Sequence, residues 1–315
     1  MLARALRLAL LVEVTLYVVL ARYACEASPA AAGLLAVLGV LALRAALVGL
    51  TYAYAWAHRS PAPRLAWWQW VRMLVGEYAA FVFTFVVLFP LAGGWMRADC
   101  LRPRAVANGG RSGESPPVLL IHGYGCARPA WWYLSHRLQT AGWVVATIDL
   151  EPVYASIDDY LAPLARRIET VLAETGADQL ILVGHSMGGL VARAYLQRFG
   201  IARVAGLVTL GTPHQGSRLA HIGLGRNAYQ MRPGSAWLQS IATSPVRSDT
   251  VVIYSPHDNF VMPQSNLVLQ GAQNQQIEGL GHLAMLYSPR VARALLLALE
   301  SGDKQGRAAR YGTAA

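Results

Sequence analysis

The sequence predicts an α/β domain, built on a mostly parallel sheet with helices on both faces, preceded by about three transmembrane helices. Three observations carry this. Of the 315 residues, 55% are hydrophobic and only 14% charged, well below the quarter usual in soluble globular proteins. The apolar excess is concentrated in the first hundred residues. Beyond them, short β-branched and aliphatic runs alternate with amphipathic stretches of helical length, which is the pattern of strands crossing over through helices.

The apolar runs lie at about residues 6–24, 32–57 and 73–93, each near the ~20 residues that cross a bilayer, and form an anchor over 1–96. Trp67, Trp68, Trp70 and Trp95 flank the third run as an interfacial aromatic belt would. The first run has a rival reading as a cleaved signal, since Arg4 and Arg7 precede it and "ARYAC" ends it in small residues. Its long apolar core and Glu13 favour a span. Cys25 is a poor lipoprotein site, because Arg22 and Tyr23 precede it with the wrong size and polarity. The interior of each run holds one charged residue, Glu13, Arg44 and Glu77, with Arg7 and Arg22 near the two ends of the first. If the first two runs are antiparallel, Glu13 and Arg44 meet at similar depth, where an ion pair relieves isolated charge. A structural pair that fixes helix packing is favoured over an ion path, because one pair is too little for a pathway.

The formal charge of +10 is mostly arginine, scattered along the chain with no lysine run. Nucleic acid is therefore not an expected partner, whereas a membrane is. Arg4 and Arg7 before the first run, and Arg59, Arg64 and Arg72 between the second and third, place those segments inside. The expected location is an integral membrane protein of a bacterial inner membrane, with the second domain on the outer, periplasmic side. Arg97, Arg102 and Arg104 argue the other way, but the first helix usually dominates and long domains cross regardless of charge. On this topology Cys25 and Cys100 share a side and could pair if it is oxidising, which leaves Cys126 over.

Residues 97–116, rich in Arg, Gly, Ser and Pro, read as a linker. The second domain covers 117–300. Its strands are expected in "PVLLIHG" (117–123), "WVVATIDL" (143–150), "QLILVGHS" (179–186), "VAGLVTLG" (204–211) and "DTVVIYS" (249–255), with a weaker one in "NQQIEGL" near 274–280. Helices are expected at about 130–141, 156–175, 187–199 and 288–300. The polar, Gly/Ala-rich residues 301–315 read as a disordered tail.

Chemistry is sought at the carboxyl ends of the strands, where parallel sheets place their sites. "GHSMG" fits Gly-x-Ser-x-Gly directly after a strand and directly before a helix, with Gly184 and Gly188 around Ser186. Such a turn holds the serine at a strained backbone angle, and flanking glycines remove side chains that would collide. The glycine spacing is not that of a dinucleotide loop, and there is no Walker lysine. Ser186 is the expected nucleophile.

A serine hydroxyl needs a base, and the base needs a group to orient it. With such an elbow the chain order is serine, acid, histidine. Downstream stand His214, His221, His257 and His282, and the acids Asp249, Asp258, Glu278, Glu300 and Asp303, so order alone leaves several pairings. Location narrows them. Asp258 follows the strand "DTVVIYS", and His282 follows the last strand candidate. Asp249 lies at the wrong end of its strand, and His257 adjoins the acid. The oxyanion donors are assigned to the amides of Tyr124, in the loop "IHGYG", and Met187. His122 and Gly123 support that loop, with His122 bracing it by hydrogen bonds; Cys126 is read as a packing residue.

At these residues the chain resembles the α/β-hydrolase superfamily, and within it bacterial triacylglycerol lipases and related esterases. The likeness covers about 116–300 and rests on "IHGYG", "LVGHSMGGLVARAY", "LVTLGTPHQGS", "MRPGSAWL", "SPHDNFVMP" and "GLGHLAML". It implies Ser186 as nucleophile, Asp258 as acid, His282 as base, and Tyr124 and Met187 as oxyanion amides. It also implies hydrolysis of carboxylic esters, with a lipid or acyl ester as substrate, no cofactor and no metal. The apolar amino-terminal third departs from secreted lipases. Residues 214–245, with Leu219, Ile222, Leu224, Met231, Trp237 and Leu238, read equally well as a cover over an acyl pocket or as a helix packed on the sheet. The rival readings are an acyltransferase or thioesterase using the same three residues and, more distantly, a membrane interaction protein that keeps the fold without its chemistry.

Overall fold

A computed structural model describes residues 2–95, 98–101, 115–243, 246–247 and 249–311. Most of the linker, residue 97 and residues 102–114, lies outside the described residues, as do 312–315. Three helices come first: α1 (Leu2–Ala24), α2 (Pro29–Ala57) and α3 (Trp67–Val82). Ser28 caps α2 by accepting the Ala31 amide, and Pro29 opens it, which is where a missing N–H costs nothing. A π-turn over Phe83–Leu88 joins α3 to α4 (Phe89–Trp95).

Among the described residues, two segments are long and apolar enough to cross a membrane: α2, with 29 residues and a mean hydropathy of 2.3, and Trp67–Ala92, with 26 residues and 2.0. The first expected span is not among them. Any 18 consecutive residues of α1 include at least three of Arg4, Arg7, Glu13 and Arg22, and each charge opposes transfer to lipid. Glu13 and Arg44 do form their ion pair between α1 and α2, largely shielded from solvent. The helix that carries the third expected run begins earlier than its apolar residues suggest, so Trp67, Trp68 and Trp70 form the opening turn of α3.

The second domain is a six-stranded sheet: β1 (Val118–Ile121), β2 (Val145–Ile148), β3 (Leu180–His185), β4 (Val204–Leu210), β5 (Val251–Tyr254) and β6 (Gln273–Gln276). The spatial order is β2-β1-β3-β4-β5-β6, and each neighbouring pair is parallel. Alternate residues of the buried strands supply two separate cores. Leu120, Ile181, Val183 and Leu210 face one side, against α5 (Trp132–Thr140) and α10 (Pro289–Tyr311). Leu119, Ile121, Leu180 and Leu182 face the other, against α6 (Leu161–Thr175) and α7 (Met187–Phe199). Two short helices, α8 (Gly225–Gln230) and α9 (Ala236–Ala242), occupy the segment between β4 and β5.

Two boundaries differ from expectation. The weak last strand covers only the exposed Gln273–Gln276, and a polar edge of this kind discourages pairing with another chain. The expected tail continues α10 as far as Tyr311.

The amino-terminal helices are not separate from this domain. Met73, Glu77, Ala80, Thr84 and Leu88 recur at spacings of three and four and are all buried, so one stripe of α3 and its π-turn faces inward. Ala80, Leu88 and Phe89 belong to the same core as β1 and α10. The opposite face leaves Trp67, Val71 and Val75 exposed.

Candidate active site

Ser186 sits between the end of β3 and the first residue of α7, at φ 55° and ψ −127°. A non-glycine residue in this region is strained by about 1–3 kcal/mol. The surroundings leave no easier arrangement. A Cβ on Gly188 would collide with the Ile121 carbonyl of β1, and one on Gly184 with the Gly189 backbone. A Cβ on Gly123 would lie 2.8 Å from that of Ser186. The three glycines that the sequence singles out therefore let β1, β3 and α7 converge on the serine, at the point where the strand order reverses between β1 and β3.

Asp258 and His282 come together as expected. Asp258 follows β5 and is fully buried. One carboxylate oxygen accepts the amides of Phe260 and Val261 at 2.7 and 2.8 Å, and the other lies 2.7 Å from His282 Nδ1. His282 Nδ1 therefore donates to Asp258, which leaves Nε2 as the free acceptor of the ring. Burial lowers the His282 pKa, but the charge of Asp258, its hydrogen bond and the charge of Glu77 outweigh this, so the net shift is upward. Phe260 stacks on the ring at 5.1 Å, and His185 packs against it at 4.7 Å. Burial and the neighbouring His282 hold the His185 pKa well below its usual value, so a neutral ring lies there.

The rejected alternatives are occupied elsewhere. Asp249 precedes β5 and pairs with Arg247 at 2.6 Å. His257 accepts the Gly279 amide on Nδ1 and uses Nε2 for the Pro63 carbonyl. His214 lies against Thr209 and Arg193, and His221 is exposed.

On the β1 side, His122 Nε2 accepts the Leu150 amide at 2.9 Å and Nδ1 donates to the Gly123 carbonyl at 2.9 Å. Burial lowers its pKa, and these two bonds together fix one neutral tautomer. The ring ties the loop after β1 to the end of β2. Met187 opens α7, where first-turn amides have no partner within the helix. The Tyr124 hydroxyl accepts the Leu224 amide at 2.8 Å and donates to the Leu224 carbonyl at 2.9 Å, a contact the sequence did not reveal.

Ser186, His282 and Tyr124 line one cavity of about 290 Å³, together with Leu219, Met231 and Phe85. The segment 214–245 divides between its two readings. Leu219, Ile222 and Met231 line the cavity, whereas Leu238 and Ile241 are buried in the core beside α7 and Trp237 packs against it.

Residues 116–240 match a family model described as the alpha/beta hydrolase fold. The solved structure of Bacillus licheniformis lipase BlEst2 in mature form superposes with a TM-score of 0.55 at 21% identity, over 62% of this chain and 96% of that one. Aspergillus fumigatus lipase B gives 0.54 at 14%, over 72% and 71%. The second domain has the α/β-hydrolase fold. By sequence, a triacylglycerol lipase of Burkholderia plantarii is 33% identical over 147 residues, 43% of this chain and 40% of the relative. One from Pseudarthrobacter phenanthrenivorans is 34% identical over 116 residues, 33% and 35% of the two chains. The chain thus matches two fifths or less of the length of these curated relatives.

Sequence reasoning missed the part of this site that comes from outside the α/β domain. Glu77 accepts the amides of Leu283 and Ala284 at 3.1 and 2.8 Å. Thr51 accepts from the Asn259 side chain at 2.8 Å. Glu77 was noticed as a charge in an apolar run, and that charge was the available signal, because a buried carboxylate requires donors.

Proposed function

We propose that the protein is a membrane-associated carboxylic ester hydrolase acting on acyl lipids. The observation that carries the reading is the buried Asp258–His282 hydrogen bond of 2.7 Å, opening on the same apolar cavity as the strained Ser186. The Ser186 hydroxyl oxygen attacks the ester carbonyl carbon while His282 Nε2 takes its proton; Asp258 orients the ring and stabilises the imidazolium. The amides of Tyr124 and Met187 receive the oxyanion. As the tetrahedral adduct collapses, the carbon–oxygen bond to the alcohol breaks and His282 returns the proton to the leaving oxygen. Water, deprotonated by His282, then attacks the acyl-enzyme and releases the acid and free Ser186.

The lipid assignment rests on the apolar lining of the cavity, on the exposed apolar faces of α2 and α3, and on the likeness to triacylglycerol lipases. The two segments apolar enough to cross a bilayer support anchoring in a membrane, with the hydrolase domain on its outer side as the arginine distribution suggests. The test compares membranes carrying the protein and its Ser186→Ala variant on esters of increasing acyl length. A loss of about 10⁴-fold or more is expected, with long-chain esters preferred. Equal rates would sink the enzyme reading, and a preference for short chains would leave an esterase.

A further inference from the structure

Three successive amides at the head of the His282 loop are held by groups from outside it. His282 N donates to Asn259 Oδ1 at 3.0 Å, Leu283 N to one oxygen of Glu77 at 3.1 Å, and Ala284 N to the other at 2.8 Å. Asn259 is in turn fixed from α2: its side-chain amide donates to Thr51 Oγ1 at 2.8 Å, and Thr51 donates to the Val48 carbonyl at 2.8 Å. The fit is close. A Cβ on Gly281 would collide with the Glu77 carboxylate and the Tyr52 hydroxyl.

Glu77 is fully buried on a segment of mean hydropathy 2.0. A lone carboxylate there is costly unless donors meet it. Both donors belong to the two residues immediately after the histidine. A residue serving only the packing of α3 would be cheaper as leucine, and its donors could lie anywhere.

We propose that Glu77 is a positioning residue for His282: its carboxylate, carried on an anchor helix, grips the Leu283 and Ala284 amides and so sets where the imidazole stands relative to Ser186. This rests on the Ser186–His282–Asp258 reading above. Thr51, acting through Asn259, is the second arm of the same support. The ring is faced by Asp258 at Nδ1, by the neutral His185 across its plane, by Ser186 and Cys126 around the cavity, and by Glu77 behind the loop. The Glu77 charge adds to that of Asp258 in favouring the imidazolium.

The test uses the full chain in membranes, with active sites counted by covalent titration with a fluorophosphonate before kcat is measured. Glu77→Gln keeps the shape but replaces one acceptor oxygen with an amide group that cannot accept. The expected result is a fall of about tenfold or more in kcat per titrated site, since displacement of a base by a fraction of an ångström is costly. KM should stay within twofold, and the acid limb of the pH profile should move to lower pH. Glu77→Asp, which retains the charge, restores the position of that limb. Should Glu77→Gln not fold, Thr51→Val, similar in shape, is read for the same split at about threefold. A kcat per titrated site equal to wild type, whatever happens to Tm, overturns the inference and leaves the hydrolase reading intact. Wild-type protein that shows no Ser186-dependent titration overturns both.

Discussion

The Ser186 side and the His282 side of this site, proposed above as nucleophile and base, are built in opposite ways. Ser186 is held by residues close to it in sequence and by the neighbouring strand: Gly184, Gly188 and the loop after β1. His282 is held by residues some 200 positions away, because Glu77 and, through Asn259, Thr51 reach its loop from α3 and α2. The first side is a matter of steric clearance, which small residues provide locally. The second is a matter of satisfying buried amides, and any chain segment that brings an acceptor can do so.

The sharpest way to break this comparison on the base side is Asp258→Asn. The variant keeps the shape but presents the wrong partner to His282 Nδ1, so kcat/KM should fall by about 10³-fold or more. The pH profile checks the same bond. The folded pKa of His282 is raised from its ordinary 6.5, and a base must be neutral to act. Wild-type kcat/KM should therefore drop as pH falls through a value above 6.5. In Asp258→Asn that limb should move to lower pH, and an unmoved limb would remove His282 as the titrating base.

On the nucleophile side the measurement is stability. Gly188→Ala forces a methyl group into the Ile121 carbonyl and should cost about 3 kcal/mol, read as a loss of Tm. A variant as stable as wild type would mean that β1 and α7 are not packed this closely. The smallest effect is expected where neither side is touched. Leu219→Trp, on the cavity wall, should cut kcat/KM on long-chain esters about tenfold relative to short ones. Uniform loss across chain lengths would show that the acyl group lies elsewhere.

The same contrast explains what could be read from the sequence. The five buried strands are legible because a short continuous apolar run is a local signal, α7 because it follows one such run directly, and Ser186 because its glycines flank it. Asp258 and His282 followed from chain order and their places after strands. The extent of α10 is not legible because the sequence beyond residue 300 is polar and has no apolar stripe to mark a helix. The first apolar run has the length of a span, but its charges keep it from the apolarity of the other two. The join between α3 and the domain was invisible, since a linker drawn on Gly, Pro and Arg content says nothing of which residues later meet across it. Glu77 looked like an anomaly in an apolar run. Its partners are backbone amides, which leave no side-chain signature.

The π-turn and α4 that close the apolar segment bear on how this chain can be recombined. Phe85 forms part of the cavity wall, and Leu88 and Phe89 sit in the core shared with β1 and α10. A chimera carrying residues 117–300 on a borrowed anchor would keep its serine turn but lose a wall, part of its core, and the acceptors for Leu283 and Ala284. The boundary that composition draws is therefore not a boundary for exchange, and α3 and α4 have to travel with the sheet.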